Sequence, residues 1–465
     1  MILHERLEAL LDHLELNDGM GISFHHHLRD GDQVINPVLK ALRARDIKDI
    51  HLYASSIFPS YIEIKRSIQS GHIKHITTNY MNGPVADYIS ENGLPGKLTM
   101  QTHGGRARAI EQGENRVDIA FIAAPALGRD GSISGTEGKN AFGSIGYAMP
   151  DAQYAKVKVA ITDTPVDAVK QPQIDGASID HGLIVDSIGD LSKMAGGTLQ
   201  ISTDPLGLKI ARDTLRVLKA VDAFKDGVSF QSGAGGISLS ITHLFNETLK
   251  ERGLKASFYS GGITAQHVYA LEHGLVQDLY DVQCFDKAAA RSLRTNAHHH
   301  AMSANRYADP THEKRIIKDL DIVILGASEI DLDFNVNVTT DSYNRLIGGS
   351  GGHSDTAEDS KLTIIVSPLI KARTVLIKDR VNTITTPGRF VDVLITERGI
   401  AINPRRKDLV EALEKTRLPV MPIETLQKKA YNLTGEPAKK SYKETPIGIV
   451  ESRHGKPIDT LYKKG

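Results

Sequence analysis

The chain alternates short apolar runs with longer stretches in which apolar residues recur every three or four positions. The runs at 119–124, 157–161, 321–325, 362–366 and 391–395 are apolar at nearly every position rather than at every second one. Such runs predict strands covered on both faces. The periodic stretches at 5–13, 205–220, 237–252 and 409–416 predict helices. The alternation of the two predicts an α/β fold with open, mostly parallel sheets flanked by helices.

The pattern also repeats. Gly21-Ile22-Ser23-Phe24 returns as Gly227-Val228-Ser229-Phe230, and His51-Leu52-Tyr53-Ala54-Ser55-Ser56-Ile57 returns as Ser257-Phe258-Tyr259-Ser260-Gly261-Gly262-Ile263 at the same offset. A glycine follows in each copy, Gly71 and Gly274. Two copies of one unit predict two homologous halves with a site in the cleft between them. The first half is expected over 1–220, the second over 221–403, and a tail over 404–465. Within the tail, 431–445 is polar and reads as a linker. Residues 447–461 read as a hairpin turning at His454-Gly455.

Composition narrows the function. Lys plus Arg number 56, as do Asp plus Glu, which removes any general argument for nucleic acid or a membrane surface as partner. There is no Trp, so a base-stacking platform is not expected. The single cysteine, Cys284, excludes an intrachain disulfide and fits a reducing compartment. It lies in a strand-like run and reads as a buried, inert thiol. The N-terminus is charged and amphipathic, unlike a signal peptide. No apolar stretch reaches the length of a membrane span, and a cytoplasmic location is expected.

Glycine clusters carry most of the candidate chemistry. Gly233-Ala234-Gly235-Gly236 follows a strand-like run and precedes a helical one, and Gly348-Gly349-Ser350-Gly351-Gly352-His353-Ser354-Asp355 is the second cluster. Glycine loops feeding helix N-termini aim backbone N–H groups at an anion or a developing oxyanion. The spacing is not that of a dinucleotide fingerprint, since Ser238 stands where the last glycine would be, and no Walker-type loop is present. The histidine runs His25-His26-His27 and His298-His299-His300 lack metal-ligand spacing, because neighbours on an extended segment point apart. No metal is expected. His25-His26-His27 and Arg29 do lie directly after a predicted strand, where open α/β sheets bind ligands, and could hold carboxylates. Asn82-Gly83-Pro84, Gln101-Thr102-His103-Gly104-Gly105-Arg106 and 125–132 are further loops of this kind.

Several of these segments together resemble the citrate lyase α-chain family of the CoA-transferase superfamily. The resemblance is carried by 21–32, 82–89, 142–151, 230–236 and 348–357 and covers nearly the whole chain. It implies a fold of two homologous CoA-transferase-like halves with the active site between them. It also implies that the carrier thioester passes from acetyl to citrate, giving a citryl thioester and acetate. The implied partners are the β and γ chains of citrate lyase, the latter an acyl carrier protein bearing a CoA-derived prosthetic group, together with further copies of this chain. Free acetyl-CoA can stand in for the carrier, and no cofactor is implied on this chain itself.

Many CoA-transferases carry the acyl group on a glutamate in a Ser-Glu-Asn-Gly motif. Here Ser90-Glu91-Asn92-Gly93 lies in the wrong half, and Gly261 stands where the glutamate of the second half is expected. Direct attack by a citrate carboxylate therefore fits better. A stand-alone acetate or oxoacid CoA-transferase using Glu91 remains the alternative, and a non-catalytic acyl-CoA or sugar-phosphate sensor is a third reading. The main reading assigns oxyanion stabilisation to Gly235, Gly236, Gly261 and Gly262. It assigns citrate to His25, His26, Arg29 and Ser232. It assigns the prosthetic arm to Gly348, Gly349, Gly351, Gly352, His353 and Asp355.

Overall fold

The computed structural model describes residues 1–194, 200–371, 374–436 and 445–465. Two large sheets organise it. Across the first, the strands run Ile2–His4, His181–Ile184, Val157–Thr162, Ile119–Ala124, Gly21–Phe24, Ile50–Ala54, Ile73–Thr78, Leu98–Met100, Pro446–Glu451 and Pro457–Tyr462. All neighbours are parallel except the last pair. Across the second they run His299–Ala301, Val276–Cys284, Ala256–Ile263, Phe230–Ser232, Ile322–Gly326, Leu362–Val366, Val393–Thr396 and Gly399–Ile402, again antiparallel only at the last pair.

The halves share one topology. Counting from Gly21–Phe24 in the first sheet, with the edge strand Ile2–His4 set aside, and from Phe230–Ser232 in the second, the leading strand of each half sits centrally between its second and fifth, and the third and fourth extend one side. The sequence repeat thus maps strand on strand. Gly71 and Gly274 occupy equivalent places, at φ +76° and +70°, just past the helices Ile62–Gln69 and Ala265–Glu272. Each left-handed glycine lets a helix stop and turn directly into the next strand.

The apolar runs form buried strands as expected: every residue of Leu362–Val366 and Val393–Thr396 is buried. Helix Pro205–Ala220 starts where Asp204 accepts a hydrogen bond from the Gly207 amide and proline takes the first helical position. It buries Ile210, Ala211, Leu215, Val217 and Leu218 in the core of the second half, although it precedes residue 221.

The 404–465 segment divides between the halves. Helix Lys407–Glu414 packs Leu409 and Leu413 on one face of the second sheet, and Ile423–Thr434 packs Ile423, Leu426 and Ala430 on the other. The linker expected over 431–445 begins later, because this helix runs to Thr434 before Gly435 ends it at φ +78°; residues 437–444 lie outside the described residues. The hairpin forms, with Gly455 at φ +76°, and pairs with Leu98–Met100 of the first sheet, burying Ile447, Val450 and Leu461 in the first core. A separate cluster joins the halves: Ala107 and Tyr147 pack against Val282, Met302, Ala304, Tyr307, Ala308 and Ile317.

Candidate active site

The Gly21–Phe24 strand delivers the chain to the seam between the halves. Its Ser23 hydroxyl bonds Asp151, which receives two hydrogen bonds from the Arg106 guanidinium, at 2.9 and 2.8 Å. All three side chains are buried. This buried, bidentate pair fixes the floor beneath His25, whose Nδ1 lies 3.9 Å from Asp151.

The chain leaves the strand at His25, so the extended-segment expectation for the histidine run fails. The His25 and His27 rings lie 6.1 Å apart, and those of His26 and His27 are parallel at 6.2 Å. His26 Nδ1 lies 2.7 Å from Ser55 Oγ, and its ring stacks on Tyr147 at 4.8 Å and on His103 at 5.9 Å. Among the described residues, no group of three His, Cys, Asp or Glu side chains is placed to hold a metal.

Burial dominates the ionisation of these groups. It lowers His25 to about 4 and His103 to about 3, and holds His26 and His27 well below the ordinary imidazole value. The imidazoles are therefore neutral at pH 7, each able to donate one hydrogen bond and accept one. Arg29 brings a formal cation to the seam that, unlike Arg106, has no carboxylate ion pair among the described residues. Its guanidinium carbon lies 5.2 Å from the Phe58 ring of the first half and 5.4 Å from the Phe285 ring of the second. Arg29 also holds φ +50°, a left-handed conformation that costs a non-glycine residue about 1–2 kcal/mol.

The second half contributes side chains that the motifs did not single out. Gln283 donates to the His26 carbonyl at 3.3 Å. Gln231 donates to the Tyr307 hydroxyl at 2.8 Å and accepts from Ser260 at 2.9 Å. The strand pair changes register between Gly261 and Gly262, with Gly261 at φ +94°. A Cβ at Gly261 would come 2.8 Å from the Gln231 amide, and one at Gly262 would strike Phe285 at 2.1 Å.

The Gly348–Asp355 stretch crosses to the first half. Gly351 accepts from the His103 amide at 2.9 Å and donates to the Asn79 carbonyl at 3.1 Å. A Cβ at Gly349 would meet the Asn79 carbonyl at 2.3 Å, and one at Gly348 the Val338 carbonyl at 2.3 Å. Gly352 lies under the Tyr307 hydroxyl. Asp355 accepts from the Gly104 amide at 2.9 Å, and burial raises its carboxyl to about 7. His353 faces away from the histidine cluster, its two nitrogens occupied by Thr386 and the Gly326 carbonyl.

The seam thus joins His25, His26, Arg29, Gly261, Gly262, Gly351, Gly352 and Asp355. Ser232 pairs with Thr242 beside it. Gly235 and Gly236 open helix Gly236–Arg252; Gly236 packs against Ser202, whose amide donates to the Gly236 carbonyl at 3.2 Å, while a Cβ at Gly235 would meet nothing within 4 Å. Glu91 lies on the exposed flank of helix Pro84–Asn92, 3.1 Å from Lys464. Both nitrogens of His25, His27 Nε2, His103 Nδ1 and Asp355 Oδ1 are buried without a hydrogen-bond partner. Buried polar atoms normally pair, so their concentration at one seam marks a site for a polar ligand.

A profile of the family described as "Citrate lyase, alpha subunit (CitF)" matches residues 2–464. The citrate lyase alpha chain of Haemophilus influenzae is 40% identical over 458 residues, spanning 98% of this chain and 92% of that protein. The chain belongs to the citrate lyase α-subunit family. The Klebsiella pneumoniae citrate lyase alpha chain is 39% identical, over 98% of this chain and 90% of its own length. A crystal structure of the putative citrate lyase alpha subunit of Streptococcus mutans, in complex with citrate, matches with a TM-score of 0.97 at 40% identity. That match covers 100% of this chain and 91% of the other. The alpha subunit of an Acinetobacter baumannii malonate decarboxylase shares the fold, with a TM-score of 0.64 at 15% identity over 90% of this chain and 93% of its own.

Membership in the citrate lyase α-subunit family makes the chain an enzyme of the CoA-transferase kind. In this α subunit the neutral imidazoles set the response to acid. An unfolded histidine takes up a proton near 6.5, whereas folded His25, His51, His267 and His353 do so near 4 and His103 near 3. Between those values the unfolded chain binds more protons, so stability falls as pH falls. Asp32, raised to about 6, and Asp355, raised to about 7, act in the opposite sense below pH 7, but they are outnumbered. The thermal midpoint, followed by circular dichroism, is expected to drop steadily from pH 6.5 to 4.5. A midpoint that rose over that range would contradict the burial of these rings.

Proposed function

We propose that the chain transfers the carrier thioester from acetyl to citrate: acetyl carrier (or acetyl-CoA) plus citrate gives citryl carrier and acetate. The supporting observation is the seam itself. Arg29 is held there in a strained conformation between aromatic rings of both halves, beside neutral imidazoles with free ring nitrogens. One fixed cation and several neutral donors suit a polycarboxylate that keeps a carboxylate free to react.

A citrate carboxylate oxygen attacks the acetyl thioester carbonyl. The tetrahedral oxyanion collapses by expelling the carrier thiolate, leaving a mixed anhydride. The thiolate then attacks the citryl carbonyl of that anhydride and acetate departs. Citrate is ionised at neutral pH, so the nucleophile needs no base. Backbone N–H groups about the Gly261-Gly262 register change are the donors we assign to the oxyanion. The citryl carrier then passes to the β chain of the lyase, with the γ chain as carrier.

The purified chain is tested with acetyl-CoA and citrate, following citryl-CoA and acetate by mass spectrometry, with succinate and acetoacetate as competing acceptors. Selective citryl-CoA formation supports the proposal. Transfer to succinate or acetoacetate alone would replace it with a general CoA-transferase. Because Glu91 is exposed and paired with Lys464, Glu91→Gln is expected to leave exchange within about twofold of wild type, and hydroxylamine is expected to trap no enzyme-bound acyl group.

A further inference from the structure

The Gly104-Gly105 pair, which the sequence places among ligand loops, is instead a packing junction. It occupies the first turn of helix His103–Glu111. A Cβ at Gly104 would lie 2.1 Å from the Ala308 carbonyl of the second half. A Cβ at Gly105 would lie 3.0 Å from the Arg453 Cα of the C-terminal hairpin. Both glycines are required because two other parts of the chain press on one helical turn, the turn that starts with His103.

Arg453 ties that junction together. Its Nε donates to Glu358 at 2.9 Å, and its two terminal nitrogens donate to Asp359 at 2.8 and 2.5 Å. Both acids lie at the end of helix His353–Asp359, the helix that carries Asp355. The Arg453 carbonyl in turn accepts from Arg108 Nε at 3.0 Å, on the helix that carries His103. The Arg453 side chain is 4% exposed, so these charge-assisted bonds are shielded from water. One tail residue therefore bridges a helix of each half, a few residues from the groups at the seam.

We propose that Arg453 is a positioning residue for acyl transfer: it braces helix His103–Glu111 against helix His353–Asp359 and so fixes the approach of the two halves across the cleft. Its consequence for turnover rests on the acyl-transfer reading above. Transfer between two bound groups is sensitive to their separation, and a displacement of about 1 Å can cost ~10²-fold in rate.

The test compares Arg453→Met, Arg453→Lys and Arg315→Met in the full chain. Arg315 binds the same Asp359, at 2.6 Å, from within the second half, and it also donates to the Pro310 carbonyl of that half. It serves as the control for lost stability alone. Arg453→Met is expected to lower kcat for citryl-CoA formation by about 10- to 100-fold with a far smaller change in the KM for citrate. Arg453→Lys is expected to recover part of that loss, and Arg315→Met to lower the thermal midpoint while keeping kcat. Hydrogen exchange of 103–111 and 353–359, read without substrate, is expected to rise together in Arg453→Met. Wild-type kcat in Arg453→Met, an equal kcat loss in Arg315→Met, or unchanged exchange in both helices would each overturn the proposal. A wild-type chain that transfers no acyl group would refute the acyl-transfer reading instead, and hydrogen exchange would still decide whether Arg453 braces the helices.

Discussion

Replacing Arg29 by methionine is expected to reduce exchange with citrate by about two orders of magnitude, equivalent to ~3 kcal/mol of lost interaction with a charged substrate. The fold should survive. Methionine is unbranched and polarizable, and it suits a slot between the Phe58 and Phe285 rings, which lie 5.2 and 5.4 Å from the native guanidinium. The side chain is also unusual in standing at φ +50°, where glycine would be unstrained. A position that retains a long cation against its own backbone preference is better explained by a ligand than by packing. The check is kcat/KM for citrate, with the unfolding temperature measured on the same samples. Loss of activity with the midpoint held within a few degrees is the expected outcome. Wild-type kcat/KM in a folded variant would remove Arg29 from the citrate site.

The largest expected loss of stability follows from Asp151→Ala. Asp151 is fully buried and neutralises Arg106, which is 3% exposed. Removing the carboxylate leaves a buried guanidinium without its counter-ion, a change that costs about 3–5 kcal/mol. For a half of this size that corresponds to a fall of roughly 10 °C in the unfolding midpoint. Replacing both partners by apolar residues, as in Arg106→Met with Asp151→Leu, is expected to recover much of the loss, because no charge is then stranded. Scanning calorimetry of Arg106→Met, Asp151→Leu and the double variant that combines them decides the matter. If the double variant is as unstable as the sum of the singles, the pair acts through packing rather than charge.

Local pattern made much of the fold legible. The apolar runs became buried parallel strands because strands sealed on both faces have no polar side to show, as in Leu362–Val366. Helix Pro205–Ala220 was readable from its period and its Asp-Pro start. The repeat was readable because Gly71 and Gly274 answer the same backbone need in each half. Long-range pairing was not legible. Nothing local to Ile447 or Leu461 says that their strands extend the first sheet beside Leu98–Met100, nor does the motif around Gly104-Gly105 name the Ala308 carbonyl and Arg453 as what it accommodates.

The site was half legible for the same reason. His25, His26 and Arg29 stand next to a strand end, where position alone marks a ligand loop. Tyr147, Gln231, Gln283 and Tyr307 reach the seam only through tertiary packing, as the His26–Tyr147 stack and the Gln283 bond to the His26 carbonyl show. His353 shares a sequence run with its glycine neighbours, yet a one-residue step along a helix turns a side chain by about 100° and aims it at Thr386.

Strand order also sets a timetable for synthesis. Gln101, at the end of the Leu98–Met100 strand, meets its partner Glu451 across 350 residues of chain. At ordinary translation rates the intervening chain takes roughly 20 to 70 s to emerge. Through that interval the nascent first half presents an unpaired strand edge, the kind of surface on which neighbouring chains on one messenger can zip together. Slow ribosomes or crowded polysomes should therefore cost this protein more yield than its folded stability would suggest, and a chaperone that shields strand edges should restore it.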